Sequence, residues 1–215
     1  MTIATAGGSY FEVDKDNRVT EVLYNLNTPR GYRGLEVYVL SKKLLMSLVD
    51  ECFAKDQYSW RRDVLRAKKD ELKLNSYIWA GYAAQVRSVQ EYYDRSMQLL
   101  DPKIRADLFT PARPIMAKGA DKSSTYVGSE GRCVNSMVAE GCRIEGVVEN
   151  SILFPGVVVE KGAVVRNCVL FKESVVRKDA QLSYIIADKN VEVLAGRTLM
   201  GHATYPIVLA KGSVV

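Results

Sequence analysis

Side chains that hold metals or move protons at neutral pH are scarce in this sequence. One histidine, His202, stands in 215 residues. The four cysteines, Cys52, Cys133, Cys142 and Cys168, form no Cys-x-x-Cys pair. So few ligands give zinc little to bind. Four cysteines in a chain this long are also no disulfide framework. They read as buried free thiols in a reducing, cytoplasmic setting. No apolar run reaches the roughly 18 residues of a membrane-spanning helix, and the N-terminus has no secretory signal pattern. The net charge of +5 is small and spread along the chain. A nucleic-acid binder would cluster its basic residues with aromatics. The nearest candidate, Trp60 to Lys73 (WRRDVLRAKKDELK), is broken by acids and reads as a solvated helix face. What is present is ordinary for a soluble globular protein: 47% hydrophobic and 26% charged residues. The length suits one large domain or two small ones.

Residues 1–108 have mixed α/β grammar. RVTEVLYNL predicts a strand, with Asp16-Asn17 as the turn before it. GLEVYVLS predicts a second apolar strand. Ser41 stands at a helix N-cap ahead of Leu44, Leu45, Leu48, Val49 and Cys52, which recur at 3.6-residue spacing. YSWRRDVLRAK repeats the helical signal, and LKLNSYIWAGYAAQV predicts a buried strand and its exit. In SVQEYYDRSMQLLD, Ser88 and Glu91 make a capping box, and Val89, Tyr92, Tyr93, Met97 and Leu100 share a face. Asp101-Pro102 predicts the stop.

Residues 109–126 (FTPARPIMAKGADKSSTY) have two prolines, small residues and no periodicity, and read as a linker. From 127 to 215 the sequence copies itself. Val148, Val165, Leu182 and Leu199 are seventeen residues apart. Within a copy, aliphatic leads recur at five and six: Val148, Leu153, Val159; Val165, Leu170, Val176; Leu182, Ala187, Val193. Four residues after each lead comes a follower, usually small or branched: Ile152, Val157, Ala163, Val169, Ser174, Ala180, Ile186, Val191, Arg197 and Ala203. Upstream, Cys133, Val138 and Ile144 are looser leads, with Met137 and Cys142 as followers. A six-residue unit of this kind describes one flat face and its corner. Three faces close a triangular coil, and one face here is a residue short. One coil cannot bury its apolar side, but stacked coils can. The spacing predicts a parallel β-helix of four to five coils, with followers filling the corners. Gly156 and Gly162 ease the turns, and Arg197 at a corner predicts that the coil opens near that end.

Leads of this kind resemble the left-handed β-helices of hexapeptide acyltransferases and of sugar nucleotidyltransferases. The order, α/β first and coil second, favours the latter. GLEVYVLSKKLL, SWRRDVL, GYAAQVRSVQEYYDRSMQLLD, LFTPARPI and VENSILFPGVVVEKGAVVRN together resemble bacterial glucose-1-phosphate adenylyltransferase. That enzyme makes ADP-glucose and pyrophosphate from ATP and glucose 1-phosphate. GCRIEGVVENSILF, IIADKNVEV and YPIVLAKGSVV look most like its regulatory, GlgD-type subunit. The resemblance implies a partial nucleotidyltransferase (Rossmann-like) α/β domain followed by a left-handed parallel β-helix.

The departures from the family pattern are specific. The family opens with a Gly-rich loop and a basic residue that hold the ATP phosphates. TAGGSYF has Gly7-Gly8 but nothing after them that continues such a loop, so the chain is expected to lack the first half of the domain. Where relatives carry Glu-Lys-Pro, with Lys on the sugar phosphate, this chain has Asn25-Leu26-Asn27. Where relatives have Gly-Tyr-Trp-Arg-Asp-Val, it reads GYAAQV, so Gln85 takes the Asp position. A neutral amide is a poor Mg²⁺ ligand. The resemblance therefore implies a regulatory subunit without catalytic, metal or cofactor residues of its own. Mg²⁺ and ATP belong to a catalytic partner in a hetero-tetramer, with no nucleic acid or membrane partner. Arg105, Arg113 and Lys118 flank the linker and are candidates for binding a sugar-phosphate effector. A fragment of an active adenylyltransferase and a hexapeptide acyltransferase using His202 as base are the alternatives. His202 has no acidic neighbour in sequence and reads as structural, as does Asp63 in RRD.

Overall fold

The computed structural model describes residues 8–24, 30–116, 119 and 121–215. It contains two compact units, Met1–Ala83 and Ala84–Val215. The helices at 89–108, read from sequence with the first segment, fall in the second unit.

The first unit is built on a small antiparallel sheet. Strands β1 (Ser9–Val13) and β2 (Val19–Tyr24) form a hairpin, and β3 (Tyr32–Arg33) pairs with the other edge of β1. Asn17 takes the left-handed conformation that closes the hairpin, at φ 60°. Asp14 Oδ1 accepts the N–H groups of Asp16 and Arg18, each at 2.9 Å. Val19, Val22 and Leu65 form the core with Phe11, Val13, Trp60 and Leu74. Leu65 comes from a π-helical segment, Trp60–Arg66, capped by Ser59. Helix α1 (Lys42–Ala54) starts at Ser41, whose hydroxyl accepts from the Leu44 N–H at 3.2 Å.

The two further strands expected in this unit do not form. Residues 35–41 and 76–83 join no ladder, and the latter stretch follows an isolated bridge between Arg18 and Asn75. Val39 is 98% exposed, and Tyr77 is also exposed. Apolar alternation makes a strand only when a partner strand is present, and among the described residues none pairs with these segments. The apolar stripe of α1 has the same fate: Leu48 is buried, while Leu44, Leu45 and Val49 are exposed.

The second unit is a parallel β-helix with two helices. Fifteen short strands form three five-stranded parallel sheets, so the coils number five. From Val147 on, coils pair at a spacing of seventeen: Val148 with Val165, Val165 with Leu182, Leu153 with Leu170, Val159 with Val176. In the first coil Cys133, Val138 and Ile144 pair with Val148, Leu153 and Val159, a spacing of fifteen. The corner between Ile144 and Val147 is tighter than its counterparts. Gly146 allows this: a Cβ there would stand 2.3 Å from the Ala163 carbonyl oxygen. The inward leads from Ile144 to Val193 are buried and form one core, each Val or Leu contributing about 1.5–3 kcal/mol. The linker ends earlier than its composition suggests. Ser123 O accepts from Gly141 N–H at 2.7 Å, and Thr125 Oγ1 donates to Ala139 O at 2.6 Å.

The followers divide into two kinds. Val157, Ala163, Ala180 and Val191 fill corners of the core, and Ser174 is buried with its hydroxyl donating to Asp188 O at 3.0 Å. Val169 and Ile186 belong to a separate, outer cluster, and Ile152 shares their register row. The corner they were expected to fill is taken by the residues one earlier, Ser151, Cys168 and Ile185, all buried. That is the face one residue short. Near the end, Ile186 pairs with Val208 rather than with Ala203. The chain makes an extra loop between Met200 and Ile207, and the coil continues beyond it. Arg197 is exposed, its carbonyl still accepting from Gln181 N–H at 2.7 Å.

Candidate functional site

Helix α2 (Val89–Gln98) lies on the row that Val169 and Ile186 turn outward. Ser88 Oγ accepts from the Glu91 N–H at 3.1 Å, and Glu91 Oε2 accepts from the Arg87 N–H at 2.8 Å. The box therefore closes one residue earlier than the Ser88 amide. Tyr93 is buried on Val169 and Ile186, and its hydroxyl donates to Asn167 O at 2.8 Å. Burial pushes its phenol far above the ordinary range. Tyr92 stacks on Phe171, which stacks on Phe154 with ring centres 4.7 Å apart. Gln90 Nε2 donates to Ala203 O at 2.8 Å, tying the helix to the extra loop.

Asp101-Pro102 ends α2 by starting the next helix, α3 (Pro102–Leu108). Asp101 caps it, its carboxylate accepting from the Lys103 N–H at 2.8 Å, and Pro102 takes the first helical position. Arg105 on α3 donates through Nη1 to Leu99 O at 2.7 Å. It lines a pocket of about 400 Å³ with Leu100, Asn135, Ser136, Met137 and Val138. Among the described residues, Arg105 is the basic candidate in this wall. Arg113 bonds to Asp107 through its carbonyl at 3.1 Å and its carboxylate at 3.4 Å. Lys118 lies outside the described residues. Asn135 and Ser136 were not singled out in sequence. The signal was available, since an asparagine two residues after the lead recurs as Asn135, Asn150 and Asn167.

The residues read from sequence as a degenerate active site are placed unevenly. Asn25, Leu26 and Asn27 lie outside the described residues. Gln85 accepts a hydrogen bond from Arg87 through its side-chain oxygen. A neutral carboxamide beside a guanidinium does not fit a Mg²⁺ site, which takes anionic oxygen. Among the described residues no group of three or more His, Cys, Asp and Glu side chains is placed to hold a metal.

His202 sits in the extra loop and bonds within it. Its Nδ1 is 2.9 Å from Thr204 Oγ1 and accepts from the Thr204 N–H at 3.2 Å, and its ring leans on Tyr184. These bonds shape the loop. Asp63 is buried and also structural. It accepts from the Ser59 N–H at 2.9 Å and from Arg62 Nε at 2.6 Å, and the bond to Arg62 holds its carboxyl below the usual range. Only Cys142 and Cys168 are buried; Cys52 is half-buried and Cys133 exposed. Cys133 is a lead of the first coil, so only one side of it is stacked.

Comparison with known proteins agrees with this architecture. The family described as GlmU-like, C-terminal hexapeptide, matches residues 118–203. The glycogen biosynthesis protein GlgD of Bacillus subtilis is 35% identical over 182 residues, covering 85% of this chain and 53% of that protein. The likeness to GlgD extends over most of this chain. GlgD of Geobacillus stearothermophilus is 40% identical over 147 residues, covering 68% of this chain and 41% of that one. The glucose-1-phosphate adenylyltransferase of Acetivibrio thermocellus is 34% identical over 125 residues, 58% of this chain and 29% of the enzyme. The chain thus spans about half the length of the GlgD proteins it matches. Among the described residues no helix is long and apolar enough to cross a membrane.

Proposed function

We propose that this GlgD homologue acts as a regulatory subunit of glucose-1-phosphate adenylyltransferase in glycogen biosynthesis. The catalytic subunit binds ATP and Mg²⁺ and makes ADP-glucose and pyrophosphate. This chain assembles with it in a hetero-tetramer, in the cytoplasm, and modulates its rate. The observation that carries this reading is Gln85. Its side chain supplies no negative charge where the related enzymes carry an aspartate, and Arg87 occupies its oxygen. The GlgD likeness supports the same reading. A sugar-phosphate effector binds among the basic residues that flank the linker, Arg105, Arg113 and Lys118, and regulation is a coupling free energy of about 1–3 kcal/mol between that site and the partner's active site.

Co-expression tests it. The protein copurifies with a catalytic subunit, and ADP-glucose formation differs between the pair and the catalytic subunit alone. This chain alone forms none. Strong synthesis by this chain alone would sink the regulatory reading. Failure to copurify, with no change in the partner's rate, would sink the subunit reading.

A further inference from the structure

The first coil differs from the others at one corner. In later coils the backbone amides there point back along the stack and are satisfied by the coil before. Asn150 N–H donates to Val134 O at 3.0 Å, Asn167 N–H to Glu149 O at 3.1 Å and Tyr184 N–H to Arg166 O at 3.2 Å. The next amides donate to side-chain oxygen: Ser151 N–H to Ser136 Oγ at 3.1 Å, and Cys168 N–H to Ser151 Oγ at 3.0 Å. The amide pairs Asn150-Ser151 and Asn167-Cys168 therefore each meet two oxygen atoms. Asn135 and Ser136 occupy this position in the first coil, and among the described residues nothing accepts from their N–H groups. Asn135 is left-handed, at φ 43°. Successive amides around such a residue form a concave donor pair that suits an anion. Both residues line the pocket of about 400 Å³ whose other wall carries Arg105. One guanidinium nitrogen of Arg105 is spent on Leu99 O, and the others have no partner among the described residues.

We propose that this corner is a binding site for a small oxyanion. Two oxygens of a phosphate or carboxylate group take the place of the two oxygens that a preceding coil would offer to Asn135 and Ser136. Arg105 supplies the countercharge. Arg113 is held by Asp107. The inference narrows the anion-binding element of the regulatory reading and rests on nothing else in it. It stands or falls on binding to this chain alone, whereas the regulatory reading is tested on a pair of subunits.

The test is a titration of the ¹⁵N-labelled chain with inorganic phosphate and, separately, with sodium acetate, at constant ionic strength. The amide resonances of Asn135 and Ser136 move and saturate, while those of Asn150 and Ser151 move little. Arg105→Gln weakens the binding at least ten-fold, Arg105→Lys weakens it less, and Arg113→Gln leaves it unchanged. Phosphate binding ten-fold tighter than acetate assigns the site to phosphoryl groups, and the reverse order assigns it to carboxylates; both sustain an oxyanion site. Shifts that never saturate, or that are the same in Arg105→Gln with the remaining spectrum intact, overturn it.

Discussion

Tyr93 illustrates how one residue joins local and tertiary structure. Its ring fills the space over Val169 and Ile186, and its hydroxyl satisfies the Asn167 carbonyl. Tyr93→Phe is expected to cost about 1 kcal/mol, the worth of one hydrogen bond, and Tyr93→Ala about 3–5 kcal/mol through the cavity left behind. Urea unfolding of the two variants measures both. The cysteines separate by burial in the same way. Burial pushes the Cys168 thiol up to about 12, and its Sγ donates to Arg166 O at 3.0 Å. In the native protein at pH 8, iodoacetamide labels exposed Cys133 well before Cys168, and peptide mass spectrometry reads the order. Glu51 gives a pH dependence. Hydrogen bonds from Lys55 and Lys68 hold its carboxyl at about 2 in the folded chain. The unfolded value is higher, about 4.3. The contribution of this carboxylate is therefore complete above the unfolded value and fades as pH falls toward about 2. The stability difference between wild type and Glu51→Gln, measured from pH 6 to pH 2, narrows over that range; a constant gap contradicts the assignment.

At the scale of elements, corners decide what the coil tolerates. Gly146 sits where two backbones approach, with the Glu160 carbonyl oxygen 2.7 Å from the position of an added Cβ. Gly146→Ala forces those strands apart, at a cost of about 2 kcal/mol or more, because the obstruction is backbone and cannot rotate away. Thermal unfolding against wild type checks this. The outward row under α2 makes a second prediction. Val169→Asp buries a charge with no partner beneath Tyr93 and lowers stability by about 3 kcal/mol or more. Loss of near-ultraviolet tyrosine circular dichroism should accompany it. The row was visible in the sequence as followers at seventeen-residue spacing. Its direction was not, because a corner residue and an outward residue differ by a single step along the chain.

Across the whole molecule, stability is distributed unevenly. The coil core from Ile144 to Val193 is continuous, with each coil stacked on its neighbours, as in other solenoids. The first unit holds a small core and leaves Val37, Val39 and Phe53 exposed. In the native state, amides of Val148, Val165 and Leu182 should outlast those of Val37 and Val39 in hydrogen exchange by several orders of magnitude. The sequence by itself determined the coil, because its leads repeat at one period and only stacking can bury them. It also determined the helix starts at Ser41 and Ser88, because a cap is a contact between neighbours in the chain. Tertiary structure alone decided that the strands expected in GLEVYVLS and LKLNSYIWAGYAAQV do not pair, that α2 belongs with the coil, and that Ile186 skips Ala203 to reach Val208. It also decided that the amides of Asn135 and Ser136, alike in sequence to those of later coils, have no acceptor among the described residues. Pairing depends on what lies alongside a segment, and that partner is distant in the chain.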